Sequence, residues 1–244
     1  MAGNDADVAR AAAGRRQRAL GVESGAARAA VLGINDGLVT NTSLILGVVG
    51  ATSAAGVVQL AGLASLVAGA CSMAVGEYVS MRAQEELLTR LLDDERTAMQ
   101  ADPGRERGPD DLTLEKHGFG HGTAEMATKE LARNPDQALG VYARAVLGVN
   151  PDELGSPWAA ALSSFVAFAA GALVPLLLWF IASRSTALAA SLLLSGVAAL
   201  GIGGALGYLS NHRVALLALR QLFIVALASA VTFFVGKLFG VLAS

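Results

Sequence analysis

Five long stretches of the chain carry almost no charge, near 29–50, 56–79, 159–182, 186–209 and 214–241. Each exceeds the roughly 20 residues that a helix rising 1.5 Å per residue needs to cross about 30 Å of hydrocarbon. The pattern predicts five membrane-spanning helices. Between the second and third stretches lies a polar block, 80–155, with 15 of the 20 acidic and 9 of the 18 basic residues. Its first part, Ser80 to Gln100, has neither Gly nor Pro and predicts a continuation of the second helix into water. Asp102-Pro103-Gly104 and Gly108-Pro109 then break the chain. Further helices are predicted over Thr123–Arg133 and Asp136–Leu147, before Asn150-Pro151 and Ser156-Pro157 lead back to the membrane. Residues 1–28 have no apolar core or cleavage site for a signal peptide and read as a cytosolic tail. The expected organisation is an all-α membrane protein: tail 1–28, spans one and two in 29–79, a cytosolic helical domain with candidate metal ligands in 80–155, and spans three to five in 156–244.

Composition agrees. Of 244 residues, 54% are hydrophobic and 16% charged, against about 25% charged in a typical soluble domain. The distribution of Lys and Arg sets the orientation. The tail carries five, the 51–55 turn none and the polar block nine, while the 183–185 turn holds only Arg184. That asymmetry predicts an N-in, C-out arrangement. A single cysteine, Cys71, leaves no intrachain disulfide and no Cys-based zinc cluster. No basic stripe with interleaved aromatics is present, so nucleic acid is not an expected partner.

A charged side chain in a bilayer costs from about 2.5 kcal/mol upward, so each one demands a reason. Span one contains Asp36. On a helix, Asp36, Thr40 and Ser43 share a face. The hydroxyls can simply bond back to their own backbone, but Asp36 has no such exit, which points to an ion pathway rather than a wet helix end. In span two, Met73, Glu77 and Met81 recur every four residues. A carboxylate beside a thioether suits a divalent transition metal, because sulfur discriminates against Mg²⁺ and Ca²⁺. Two readings stay open: the methionines line a metal path or fill gaps between helices, and Glu77 is a ligand or an interfacial residue. Desolvation favours a carboxylate's protonated form, and a divalent cation must displace that proton to bind. Alternating occupancy of Asp36 and Glu77 by metal and H⁺ would give antiport.

The segments Asn35-Asp36-Gly37-Leu38-Val39-Thr40-Asn41 and Ala68-Gly69-Ala70-Cys71-Ser72-Met73-Ala74-Val75-Gly76-Glu77-Tyr78-Val79-Ser80 resemble the vacuolar iron transporter family. Asp152-Glu153-Leu154-Gly155-Ser156-Pro157-Trp158 and Gly171-Ala172-Leu173-Val174-Pro175-Leu176 are similar too, and the likeness covers roughly 29–241. It implies a five-span homodimer in the lipid bilayer. Such a protein exports Fe²⁺ or Mn²⁺ from the cytosol in exchange for protons, with no permanently bound cofactor. It also implies that Asp36 and Met73 line the ion path, and that Glu86, Glu95 and Glu106 in the polar block gather metal. Several acidic positions of the family are changed: Ala98, Pro109 and Ser65 stand where some members carry carboxylates, and Tyr142–Val146 lacks the carboxylates and paired methionines of others. The Ala- and Arg-rich composition points to a bacterial plasma membrane.

Two other classes are weighed against transport. A membrane-anchored metal sensor or buffer would bind ions in the polar block without moving them. An iron-oxidising enzyme would need Glu-x-x-His pairs, but Leu114, Gly118 and Leu209 precede His117, His121 and His212 at that spacing, so an enzyme is not expected. His117 and His121 have metal-pair spacing, yet Gly118, Gly120 and Gly122 oppose a helix there. Gly203/Gly207 and Gly236/Gly240 are spaced for close helix contact, and Pro175 predicts a kink in span three.

Overall fold

The computed structural model describes residues 25–101, 111–116, 118–131, 135–145 and 155–242. The described residues are helical, with short turns and no strand. In chain order the helices are α1 (Gly25–Ala51), α2 (Ala55–Ala101), α3 (Asp111–Lys116), α4 (His121–Leu131), α5 (Pro135–Ala145), α6 (Pro157–Leu176), α7 (Arg184–Leu209) and α8 (Val214–Leu242). Five of them contain segments long and apolar enough to cross a membrane: Ala26–Ala51, Ala55–Thr97, Pro157–Phe180, Arg184–Leu209 and Val214–Val241. These match the five stretches read from the sequence. The second helix does continue past Ser80 without a break.

The chain forms two compact units, and the division falls inside α2, between Val79 and Ser80. In the five-helix unit, the described core includes these small apolar clusters: Ile45, Val58, Leu176 and Trp179 with Ala187; Leu38, Ala199 and Val225; and Ala70, Phe168 and Ala172. Water cannot drive helices together inside a bilayer, so close packing and interhelical hydrogen bonds must do so. Both are present. A Cβ on Gly33 would lie 2.8 Å from the Ser164 carbonyl oxygen, and one on Gly37 would overlap the Phe168 carbonyl, so α1 and α6 meet backbone to backbone. The expected glycine pairs work the same way. Gly203 and Gly207 admit the Leu217 and Val214 backbones of α8, and Gly236 and Gly240 admit Gly47 and Ala51 of α1. Hydrogen bonds reinforce these seams: Asn41 Nδ2 donates to the Ala172 carbonyl at 2.6 Å, Thr42 Oγ1 to Ser195 Oγ at 3.0 Å, and Thr232 Oγ1 to the Ser43 carbonyl at 2.7 Å.

Local signals account for the ends. Ser156 Oγ accepts from the Ala159 amide and Pro157 opens α6, where a proline lacks only an N–H that no helix bond would use. Pro175 marks the other end: α6 stops one residue later and the chain tightens into a 3₁₀ turn, Leu177–Phe180. The Pro175 carbonyl accepts from Ser191 Oγ at 2.6 Å. Between α7 and α8, Asn211 adopts φ 55°, a left-handed conformation that Asn and Gly tolerate and β-branched residues do not. Asn211→Val is therefore expected to destabilise the protein by about 1–3 kcal/mol while Asn211→Gly does not. Thermal unfolding in detergent checks this, and equal melting of the two variants would contradict it.

The Ser80–Gly155 unit buries Leu88, Leu114, Ala124, Leu139 and Ala143. Its short helices differ from expectation in detail. α4 and α5 begin two residues and one residue earlier than predicted, within the usual fraying of helix ends, and their predicted ends at Arg133 and Leu147 lie outside the described residues. The six-residue α3 was not anticipated; Lys116 in its last turn complements the helix dipole there. Gly118, at φ 92°, makes the turn between α3 and α4.

Candidate functional site

The face of α1 opposite its glycine seam decides where its charges go. Gly33 and Gly37 are pressed against α6, and Ala29, Leu38, Asn41 and Ile45 are buried. Arg28, Leu32 and Asp36, spaced by four, are left on the exposed face of this chain, with Thr40 next and half-buried. Thr40 Oγ1 lies 3.4 Å from Asp36 Oδ1, a long hydrogen bond. The neighbouring residue is held firmly: Gln221 Nε2 of α8 donates to Asn35 Oδ1, and Gln221 is itself buried. Asp36 thus projects from a helix fixed on its other sides.

Met73 of α2 rests against the Ala70–Phe168–Ala172 cluster, so its packing role has an observed partner. Glu77, one turn further along, is 13% exposed; its Oε2 is buried, makes no hydrogen bond and lies 3.8 Å from Arg28 Nη2. With Ile45 packing on Val58 near the other end of the pair, this contact fixes α1 and α2 as antiparallel. Glu77 is level with Arg28. Asp36 is eight residues beyond Arg28, roughly 12 Å along the axis, and Met73 sits about one turn, roughly 6 Å, from Glu77 toward it. The ligand candidates of one chain form a ladder rather than a single chelate. Among the described residues no group of three or more His, Cys, Asp or Glu converges on one point.

In the Ser80–Gly155 unit, Glu86 Oε1 accepts from Arg82 Nε at 3.0 Å and Glu85 Oε2 from Arg82 Nη1 at 2.9 Å, so Glu86 is already paired. Glu95 is half-buried. Glu106 and His117 lie outside the described residues. His121 Nδ1 contacts Glu115 Oε1 at 2.6 Å across the α3–α4 turn.

The VIT family model matches residues 27–237, from the first turn of α1 to within α8, and so includes Asp36 and Glu77. The chain belongs to the VIT family. Among its curated relatives, "Vacuolar iron transporter homolog 1" of rice is 36% identical over 96% of this chain and 84% of the relative. "Vacuolar iron transporter" of Acanthamoeba castellanii is 34% identical over 86% and 77%, and "Vacuolar iron transporter 1" of Eucalyptus grandis 28% identical over 85% and 84%. Family membership and five long apolar helices together make this a multi-pass integral membrane protein.

Two contacts of this VIT-family chain escape a reading by motif. Arg28 looks like the end of the tail, yet α1 begins at Gly25 and carries it onto the face of Asp36. Its spacing of four from Leu32 and eight from Asp36 was the available signal. Gln221 is the one amide side chain in the 214–241 stretch, and a buried amide there must find a partner.

Proposed function

We propose that this chain is a metal transporter that carries Fe²⁺ or Mn²⁺ out of the cytosol in exchange for protons. The observation that carries the reading is Asp36, a carboxylate left on the open face of a membrane-spanning helix, in a family whose curated members bear the name of iron transporters. A carboxylate facing lipid is costly, so it must face an aqueous path or another protein surface. A second copy of the chain would supply one. On α2, Ala64, Ala68, Ser72 and Gly76 form an exposed row at intervals of four, and a Cβ on Gly76 would touch nothing. Small residues at that spacing let a second helix approach closely, which supports a homodimer.

In this mechanism Asp36 is the principal anionic ligand, assisted by Thr40. Met73 and Glu77 form the steps between it and the N-terminal end of α1. Protons replace the metal on the emptied carboxylates, which couples export to the proton gradient. We assign the N-in, C-out orientation, place 80–155 in the cytosol and the protein in a bacterial plasma membrane. Glu86, Glu95 and Glu106 act there as auxiliary collectors of metal. At Glu86 the ion must compete with Arg82. No resident cofactor is required.

Uptake into inverted, proton-loaded vesicles tests the proposal. Fe²⁺ or Mn²⁺ should enter in proportion to the imposed pH gradient, and the faster ion identifies the preferred substrate. Uptake indifferent to the gradient removes proton coupling. Metal binding by the purified protein without any uptake replaces transport with a membrane-anchored sensor or buffer.

A further inference from the structure

We infer that Arg28 is a tethered counter-cation for Glu77, holding that carboxylate when no metal is present and setting how tightly the path grips an ion. The inference rests on the proposed transport of a divalent metal past Glu77, and it adds a residue that faces the path without being a metal ligand.

Glu77 has an incomplete environment. Its carboxylate is 13% exposed and Oε2 is buried without a hydrogen bond, which is expensive for a group of this charge. The nearest cation, Arg28 Nη2, is 3.8 Å away, within ion-pair range but too far for a hydrogen bond. Arg28 compensates the charge without satisfying the oxygen. Its own side chain is 50% exposed, and it stands near the start of α1, so its long stem can swing the guanidinium aside. A pair built for stability would be closer, bidentate and enclosed. This one is loose on the arginine side and confined on the glutamate side.

That asymmetry suits exchange. A divalent ion brings twice the charge of a guanidinium and can bond the unsatisfied oxygen directly, so it displaces Arg28 from Glu77. When the ion moves on toward Met73 and Asp36, Arg28 returns and the carboxylate is not left bare. A site on a transport path must bind well enough to admit an ion and weakly enough to release it. Competition from a covalently attached cation lowers the affinity without removing the ligand.

The test uses the full-length chain, with Mn²⁺ as probe, read by electron paramagnetic resonance for binding and by uptake into proteoliposomes for KM and kcat. Arg28→Gln should tighten Mn²⁺ binding and lower KM by about threefold to fivefold, the upper part of the range that loss of a partly exposed ion-pair competitor gives. Its kcat should fall, because release slows. Arg28→Lys, which keeps the charge, should stay within about twofold of wild type. In a Glu77→Gln background, Arg28→Gln should leave Mn²⁺ affinity unchanged. An unchanged or weaker affinity in Arg28→Gln, with wild-type transport intact, overturns the role of Arg28 alone. So does an equal gain in the Glu77→Gln background, which would mark a general surface-charge effect. A wild-type chain that neither binds nor moves Mn²⁺ sinks the transport reading and this inference with it.

Discussion

Asp36→Ala is expected to reduce metal uptake by at least about a hundredfold while leaving the helices folded. The two halves of that expectation have separate causes. Asp36 lies on the open face of α1, and its hydrogen bond from Thr40 Oγ1, at 3.4 Å, is too long to contribute much. When the carboxylate goes, the Thr40 hydroxyl can bond the backbone carbonyl one turn back, as threonines in helices commonly do. No buried group is left without a partner, so melting in detergent should move by less than about 1 kcal/mol equivalent. Transport is another matter. A divalent ion inside a bilayer without an anionic ligand faces a penalty of several kcal/mol, and about 2.7 kcal/mol already corresponds to a hundredfold in rate. Asp36→Asn keeps the shape and loses the charge, so it should fail almost as badly. Tracer uptake into proteoliposomes, run beside size-exclusion profiles of the same preparations, checks both halves. Retention of more than a tenth of wild-type uptake in Asp36→Ala would move the ion path elsewhere.

The spans were legible because length and apolarity together leave few alternatives. Four of the five came out within about three residues at each end, while the second runs on in one helix to Ala101, an extension that the absence of Gly and Pro from Ser80 to Gln100 was enough to announce. The short helices were less legible. Six residues such as Asp111–Lys116 carry too little periodicity to announce themselves, and they are stabilised by contacts with α4 rather than by their own propensity. At the candidate site, the sequence could rank Asp36 and Glu77 as costly but could not distribute them. Their separation by roughly two turns follows from the antiparallel register of α1 and α2, which is tertiary information. Glu77 beside Arg28 and Asn35 beside Gln221 are contacts over 49 and 186 residues of chain, which no local pattern encodes. Met73 stayed ambiguous for a different reason. The polarizable thioether that suits a soft metal also fills the gap beside Phe168, and one side chain can do both.

The largest loss of stability is expected from the smallest change, one methyl group on Gly37. Its added Cβ would fall against the Phe168 carbonyl oxygen, with the carbonyl carbon 2.9 Å away and the Ala172 nitrogen at 3.0 Å. All three are backbone atoms, so no rotamer change can make room. From the other side Gly171 is closed by the Ile34 carbonyl and the Leu38 nitrogen. α1 and α6 would have to separate, loosening Asn41 Nδ2 from the Ala172 carbonyl, now bonded at 2.6 Å, on the same seam. Overpacking of this kind costs about 1–3 kcal/mol or more. Gly201 supplies the control, because a Cβ there meets nothing within 4 Å in the middle of α7. Gly201→Ala should hold or gain about 0.5–1 kcal/mol, since alanine orders more cheaply than glycine in a helix. Melting of the two variants in detergent should therefore diverge, with Gly37→Ala well below wild type; a Gly37→Ala protein as stable as Gly201→Ala would mean that the two helices do not meet as described. The same contact bears on function. Successive residues on a helix point about 100° apart, so pressing Gly37 against α6 turns Asp36 toward the open face, and any variant that widens this seam should weaken transport by rotating its carboxylate as well as by lowering stability.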